Sequence, residues 1–282
     1  GFAYDNEMPR HRQFVEAFLI ADRPVTNGEF LEFMQAGGYE KPDFWLSDGW
    51  HTVKQEGWKA PLYWVERDGV WHHFTLGGLV PVDMNAPVCH VSFYEADAYA
   101  QWAGARLPTE AEWERAARGG LKDKLFMWGD EARPGGKWQA NVFQGVFPNN
   151  NTAEDGFSGT APVRSFPPNG YGLYDMAGNV WEHCSDLYRP DYFKDFVKLP
   201  EPKVNPRGPS KPLSQPMVQQ WLQSKNYPDE KPFHRLAWLW VTKGGSHLCH
   251  HTYCLRYRPA ARHYSESLSP TNHTGFRCVR SN

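Results

Sequence analysis

Apolar positions recur at helical spacing in three stretches, each opened by a Ser or Thr with a Glu three residues later. Phe30, Phe33 and Met34 follow Thr26 and Glu29; Ala96, Tyr99 and Trp102 follow Ser92 and Glu95; Trp113 and Ala116 follow Thr109 and Glu112. In each the hydroxyl caps a free backbone N–H and the Glu reaches back to the cap residue, which predicts three helices. Gly37-Gly38, Gly104 and Gly119-Gly120 end them. Runs rich in β-branched and aromatic residues predict strands over residues 12–20, 71–76 and 88–91. From 128 to 168 turn residues dominate, and no period repeats. Residues 199–216 are rich in Pro, Lys and Ser, and the run to about 239 is polar with scattered Trp. Residues 210–240 read as a surface insertion in one continuous α+β domain over 1–282.

Composition sharpens this picture in two ways. The 25 Gly and 23 Pro of 282 residues call for short elements and many loops, and 13 Trp, 13 Tyr and 17 Phe supply a large core. A net charge of -2 argues against a polybasic nucleic-acid binder, although Arg256, Arg258 and Arg262 interleave with Tyr253, Tyr257 and Tyr264. No apolar run approaches a membrane span, so no membrane partner is expected and a monomer is. Five cysteines, an odd number over a long chain, are no disulfide scaffold. They fit a cytoplasmic setting slightly better, while a removed signal would allow a secretory one. Cys89, Cys184 and Cys278 read as buried thiols.

The densest cluster of chemistry runs from Gly244 through Ser246, His247, Cys249, His250, His251 and Tyr253 to Cys254. Two thiols five positions apart on a loop can face one ion, and soft thiolates favour Cu(I) or Zn(II). Neighbouring Arg and His residues would favour the thiolate. A Cys2His2 zinc site drawing on His247, His250 or His251 is one alternative, but adjacent histidines rarely converge on one ion. Two buried cysteines beside surface histidines are another. A second constellation, Asn141, Asp155, Asn179 and Glu182, sits in Gly-rich loops. Hard oxygen ligands there suit Ca2+, and ordinary turn chemistry explains the same residues. No Walker loop, dinucleotide fingerprint, nucleophile elbow or zincin helix is present.

Several motifs together carry a family resemblance. They are Arg106-Leu-Pro-Thr-Glu-Ala-Glu-Trp113-Glu, Asn169-Gly-Tyr-Gly-Leu-Tyr174, Gly178-Asn-Val-Trp-Glu182, Gly244-Gly-Ser246, the Cys249/Cys254 pair with Tyr253, and Gly275-Phe-Arg-Cys-Val-Arg280. Across nearly its whole length the chain resembles the formylglycine-generating enzymes (sulfatase-modifying factors). The resemblance implies a C-type-lectin-like fold low in regular secondary structure, with structural calcium. It also implies oxidation of a cysteine in a sulfatase-type polypeptide to formylglycine, using Cu(I), O2 and an external reductant. Carried across, Cys249 and Cys254 would hold copper, with Ser246, Tyr253 and Arg256 around them. Asn141 and Asp155, with the carbonyls of Val142 and Phe157, would hold one calcium. Asn179, Val180 and Glu182 would contribute to a second.

The chain departs from the family pattern in three places. His183 stands where the family usually has Trp, and residues 210–240 lengthen the segment before Gly244. Residues 1–85, with Ala3-Tyr-Asp-Asn-Glu7 and Trp45-Leu-Ser-Asp-Gly-Trp50, resemble the corresponding domain of the iron-dependent ergothioneine-type sulfoxide synthases. A non-haem iron sulfoxide synthase is therefore one alternative, although the chain has no His-x3-His-x-Glu segment. A non-catalytic lectin-like binding module is another.

Overall fold

A computed structural model describes residues 2–197, 199–224 and 237–281. The three predicted helices form where the capping signatures lie, as α1 (Asn27–Gln35), α3 (Phe93–Trp102) and α4 (Glu110–Ala117), and each carries a complete capping box. A further helix, α2 (Ser47–Glu56), ends on the left-handed Gly57. The next, α5 (Gln215–Ser224), lies in the stretch expected as a surface insertion. That expectation needs correcting for the described part. Leu213, Val218 and Leu222 are buried in the main core, so one face of α5 is core rather than surface. Residues 225–236 of the expected insertion lie outside the described residues.

The central sheet has four strands in the order His263–Glu266, Leu239–Lys243, Trp181–Leu187, Thr274–Gly275. The first two contacts are antiparallel and the last is parallel. A three-stranded meander, Trp64–Arg67, Val70–Thr75 and Gly78–Pro81, contains the strand expected over 71–76. The stretch 12–20 is not one strand. Gln13–Phe14 pairs with Lys203–Val204, and Phe18–Ile20 pairs with Val279–Ser281. Nor is 88–91 a strand, because His90 is left-handed (φ 61°) and breaks the extended run. Val88 and Val91 are nevertheless fully buried.

Two large hydrophobic cores and a small aromatic cluster, Tyr192, Phe193 and Phe196, form among the described residues. One core packs α1 and α3 around Phe30, Phe33, Tyr99 and Phe276. The other packs α4 against the central sheet around Trp113, Leu239 and Val241, and it contains both Cys249 and Cys254. Four of the recurrent motifs meet in one buried knot beside the second core. Glu182 receives Arg277 through two hydrogen bonds of 2.7 Å and the Trp113 indole N–H at 2.8 Å. Arg277 also donates to the carbonyl of Tyr174 at 2.8 Å. These motifs tie the fold together and do not themselves form the thiol site.

Candidate functional site

The thiol loop is built locally. Tyr253 and Cys254 both donate their N–H to the carbonyl of His250, at 2.9 and 2.7 Å, closing a tight turn that folds Cys254 back onto Cys249. The two sulfurs lie 2.7 Å apart, and both cysteines are free thiols. Gly245, left-handed at φ 71°, lets the loop pass against Tyr257, whose backbone a Cβ would meet at 3.0 Å. Gly244 accepts the Gly178 N–H, and Asn179 accepts the His247 N–H. The Phe143 N–H bonds the carbonyl of Cys249 at 3.0 Å, so the stretch after Asn141 is fastened directly to the thiol loop.

The two thiols are electrostatically unlike. Burial and the hydrogen bond with Cys254 push the Cys249 thiol well above its ordinary value. Cys254 is brought down to about 7 by the hydrogen bond from Cys249 and by the adjacent Arg256 guanidinium. The two sulfurs share a hydrogen bond, and of the pair Cys254 is the one whose surroundings favour the thiolate. The Ser246 hydroxyl hydrogen-bonds Cys249. Tyr257, which the sequence reading passed over, is buried beside both sulfurs, and its phenol is pushed up to about 12 by burial and by those thiols. It lies in the Arg256-Tyr257-Arg258 run, so its spacing from Cys254 was the available signal. Tyr253 points elsewhere: it is 70% exposed and stacks on Phe147 with ring centroids 4.8 Å apart.

The histidines do not join the sulfurs. His247 bonds the carbonyl of Asn179 through Nδ1, and His250 bonds the Thr252 hydroxyl. Among the described residues no group of three His, Cys, Asp or Glu gathers as a metal site. A zinc Cys2His2 centre and a three-ligand iron centre therefore lack their ligands there. Two soft sulfurs, one readily ionised, remain a donor set suited to low-coordinate Cu(I). A groove of about 1040 Å3 between residues 2–15 and α4 is lined by Leu255 but by neither cysteine, so it is not the thiol site.

The two expected calcium sets differ. Asp155 accepts the N–H of Val142 (3.2 Å) and of Phe157 (3.0 Å), drawing the ends of a turn-rich loop together. Asn141 is 1% exposed, and its side-chain oxygen has no hydrogen-bond partner. Its amide N–H groups are used, by Gly159 and Asn179. An orphaned buried oxygen beside a carboxylate fits a hard cation. The second set is hydrogen-bonded within the chain. Both Glu182 oxygens accept from Arg277, and the Asn179 side chain exchanges hydrogen bonds with the Ala161 backbone. Asp175, a further buried carboxyl, has its pKa raised by burial and lies close enough for the Glu182 charge to add to the rise. His183 packs edge-on against Phe93 of the other core, with ring centroids 6.0 Å apart.

The sulfatase-modifying factor enzyme 1-like domain family matches residues 1–282. The formylglycine-generating enzyme of Streptomyces coelicolor is 40% identical over 291 residues, covering 99% of this chain and 83% of the relative. The inactive C-alpha-formylglycine-generating enzyme 2 of Mus musculus is 40% identical over 66% of this chain and 63% of its own length. Identity at this level is thus shared with a protein named inactive, and the chemistry must be argued from the thiols. The hercynine oxygenase of Mycolicibacterium smegmatis is 38% identical over 66% of this chain and 41% of its own length. In fold, the structure of PvdO from Pseudomonas aeruginosa superposes with a TM-score of 0.63 at 22% identity, covering 99% of this chain and 86% of that one. The chain belongs to the sulfatase-modifying factor enzyme 1-like family, with the formylglycine-generating enzymes.

Proposed function

We propose that the protein oxidises a cysteine of a sulfatase-type polypeptide to formylglycine with O2, using Cu(I) held by Cys249 and Cys254. The observation that carries this reading is the pair of free, buried sulfurs 2.7 Å apart, with the environment of Cys254 favouring its thiolate. When bound there, Cu(I) would supply one-electron chemistry with O2 at a centre that two ligands leave open to a further thiolate. The chain's own residues set the conditions. Cys254 offers a thiolate without strong base, Cys249 keeps a proton to give up as a ligand binds, and Ser246 orients Cys249 by its hydrogen bond. Tyr257 walls the sulfurs from water, and Arg256 supplies a positive charge beside Cys254. The reaction balances as the substrate thiol plus O2 plus two electrons and two protons, giving the aldehyde, hydrogen sulfide and water. The substrate Cβ is oxidised, and the remaining electrons come from an external thiol reductant.

Calcium at Asn141, Val142, Asp155 and Phe157 belongs to the same proposal as structural support. The Phe143–Cys249 hydrogen bond gives that support a route to the thiol loop. The reading is tested by incubating a cysteine-containing sulfatase-motif peptide with the protein, Cu(I), air and reductant, followed by mass analysis. Aldehyde should form, and Cys249→Ser and Cys254→Ser should each abolish it. Full activity in either variant would rule out this ligand assignment. Sulfoxide formation from a thiol and a histidine derivative with iron, which the hercynine oxygenase relative motivates, is the outcome that would replace it.

A further inference from the structure

Residues 2–7 cross over the segment that follows Cys254. The Tyr4 hydroxyl accepts the Leu255 backbone N–H at 3.0 Å, and its ring lies 4.1 Å from the Arg256 guanidinium. On one side Glu7 grips Arg258 in a buried two-pronged ion pair. Phe2 and Tyr4 present their rings to the same Arg258 at 5.1 and 5.5 Å. Asn6 donates to the Tyr188 hydroxyl and to the carbonyl of Arg262. The segment is therefore pinned along its length, and Tyr4 is the point that touches the neighbour of the thiols. Arg256 in turn follows Cys254 by two positions, and its charge favours the Cys254 thiolate. Its Nε is buried without a hydrogen-bond partner, so the Tyr4 ring is the contact that fixes the plane of the guanidinium.

We propose that Tyr4 is a positioning residue that holds Arg256 over Cys254, so that residues 2–7 complete the two-thiolate centre from far outside its motif. This rests on the reading of Cys249 and Cys254 as Cu(I) ligands. Two thiolates around a singly charged cation leave one net negative charge, and both sulfurs are buried. A buried charge without a close countercharge is costly, and Arg256, held against the Tyr4 ring, is the cation whose charge acts on Cys254. A guanidinium is planar and weakly hydrated, so an aromatic face can hold it where an ammonium would drift to water. Tyr4 provides that face.

The test is the Cu(I) affinity of the full chain, measured anaerobically by competition with a colorimetric chelator, with the melting temperature recorded alongside. Tyr4→Phe keeps the ring and should stay within about threefold of wild type, while Tyr4→Leu should bind about tenfold more weakly. Tyr4→Leu binding as tightly as wild type overturns the proposal. So does a loss in Tyr4→Phe as large as in Tyr4→Leu, because the ring would then not be what matters. If Tyr4→Leu does not fold, Arg256→Lys keeps the charge without the plane and carries the same expectation of about a tenfold loss. A wild type that binds Cu(I) tightly yet converts no peptide would sink the proposed reaction and leave this role of Tyr4 standing. A wild type that binds no Cu(I) overturns both.

Discussion

The Asn141–Asp155 loop and the Asn179–Glu182 stretch read alike in the sequence, since each offers an Asn and a carboxylate among glycines. In three dimensions they are opposites. Glu182 is fully buried and fully partnered, by a guanidinium that is itself fully buried. Asn141 is equally buried but keeps an oxygen that nothing in the protein satisfies. The backbones of the two run side by side: Asn179 donates its N–H to the carbonyl of Asn141 at 2.8 Å. Gly178 permits this approach, because a Cβ there would sit 2.1 Å from the same carbonyl oxygen. The difference teaches that a ligand-like residue type points to a cation most strongly where the fold leaves one of its oxygens unsatisfied, as it does at Asn141. One region has its cation built into the chain as Arg277. The other keeps a buried oxygen that no group of the described chain satisfies.

The largest expected effect breaks the filled region. Glu182→Ala strands Arg277 and the Trp113 indole N–H in the core, and removal of one partner of such a pair costs about 3–5 kcal/mol. Urea unfolding should show that loss, and added calcium should not restore it. If calcium stabilised Glu182→Ala less than it stabilises the wild type, Glu182 would be a calcium ligand after all.

Next in size is an acid effect seated on the same strand. His183 is fully buried, its Nε2 has no partner, and burial lowers its pKa from 6.5 to about 4. Between those values the unfolded chain takes up a proton that the folded chain refuses. Stability should therefore fall as the pH drops from 6.5 towards 4, by about 3 kcal/mol from this group, and level off below. His90 and His273, also lowered to about 4, act in the same direction. His183→Phe should flatten the pH dependence of urea unfolding between 7 and 4. An unchanged slope would show that burial of His183 does not drive it.

How much of this was legible depends on how far apart the partners lie. The three capping boxes and the Cys249–Cys254 turn were readable, because each closes within a few residues. The Arg277–Glu182 pair was not legible, because its partners are 95 positions apart and spacing holds no trace of it. The same applies to Tyr4, which meets Leu255 across 251 positions. The strand expected over 88–91 failed for a local reason. Its apolar pattern was right, as burial of Val88 and Val91 confirms, but a left-handed His90 cannot be foreseen from residue type. The face of α5 that enters the core was hidden by its polar surroundings, which suggested surface throughout.

The open region comes third. A calcium ion bound only by the folded state at 100 times its dissociation constant adds roughly 2.7 kcal/mol. A chelator should therefore lower the melting temperature, and Asp155→Ala should mimic it and abolish the chelator's further effect. Titration should find one tight calcium rather than two, because the second set is already hydrogen-bonded within the chain. Two tight sites, or no response to either chelator or Asp155→Ala, would remove the distinction between the regions.

The smallest effect sharpens the comparison from inside the loop. Asn151 does not belong to the proposed ligand set, yet its side-chain oxygen accepts the N–H of Gln144 at 3.2 Å and of Ala153 at 3.1 Å. Gln144 in turn donates to the carbonyl of Val142 and accepts the Asp155 N–H. Asn151 therefore shapes the loop at one remove from the proposed ion. Asn151→Ala should cost about 1 kcal/mol in urea unfolding, the usual net worth of such hydrogen bonds. It should also weaken calcium binding, since a loosened loop must be ordered again when the ion arrives. A change of equal size on the other side, such as loss of the exposed Arg164–Asp22 ion pair, should leave calcium affinity untouched. If both variants shift calcium binding alike, the ion is reporting global stability, and the Asn141–Asp155 loop is not where it binds.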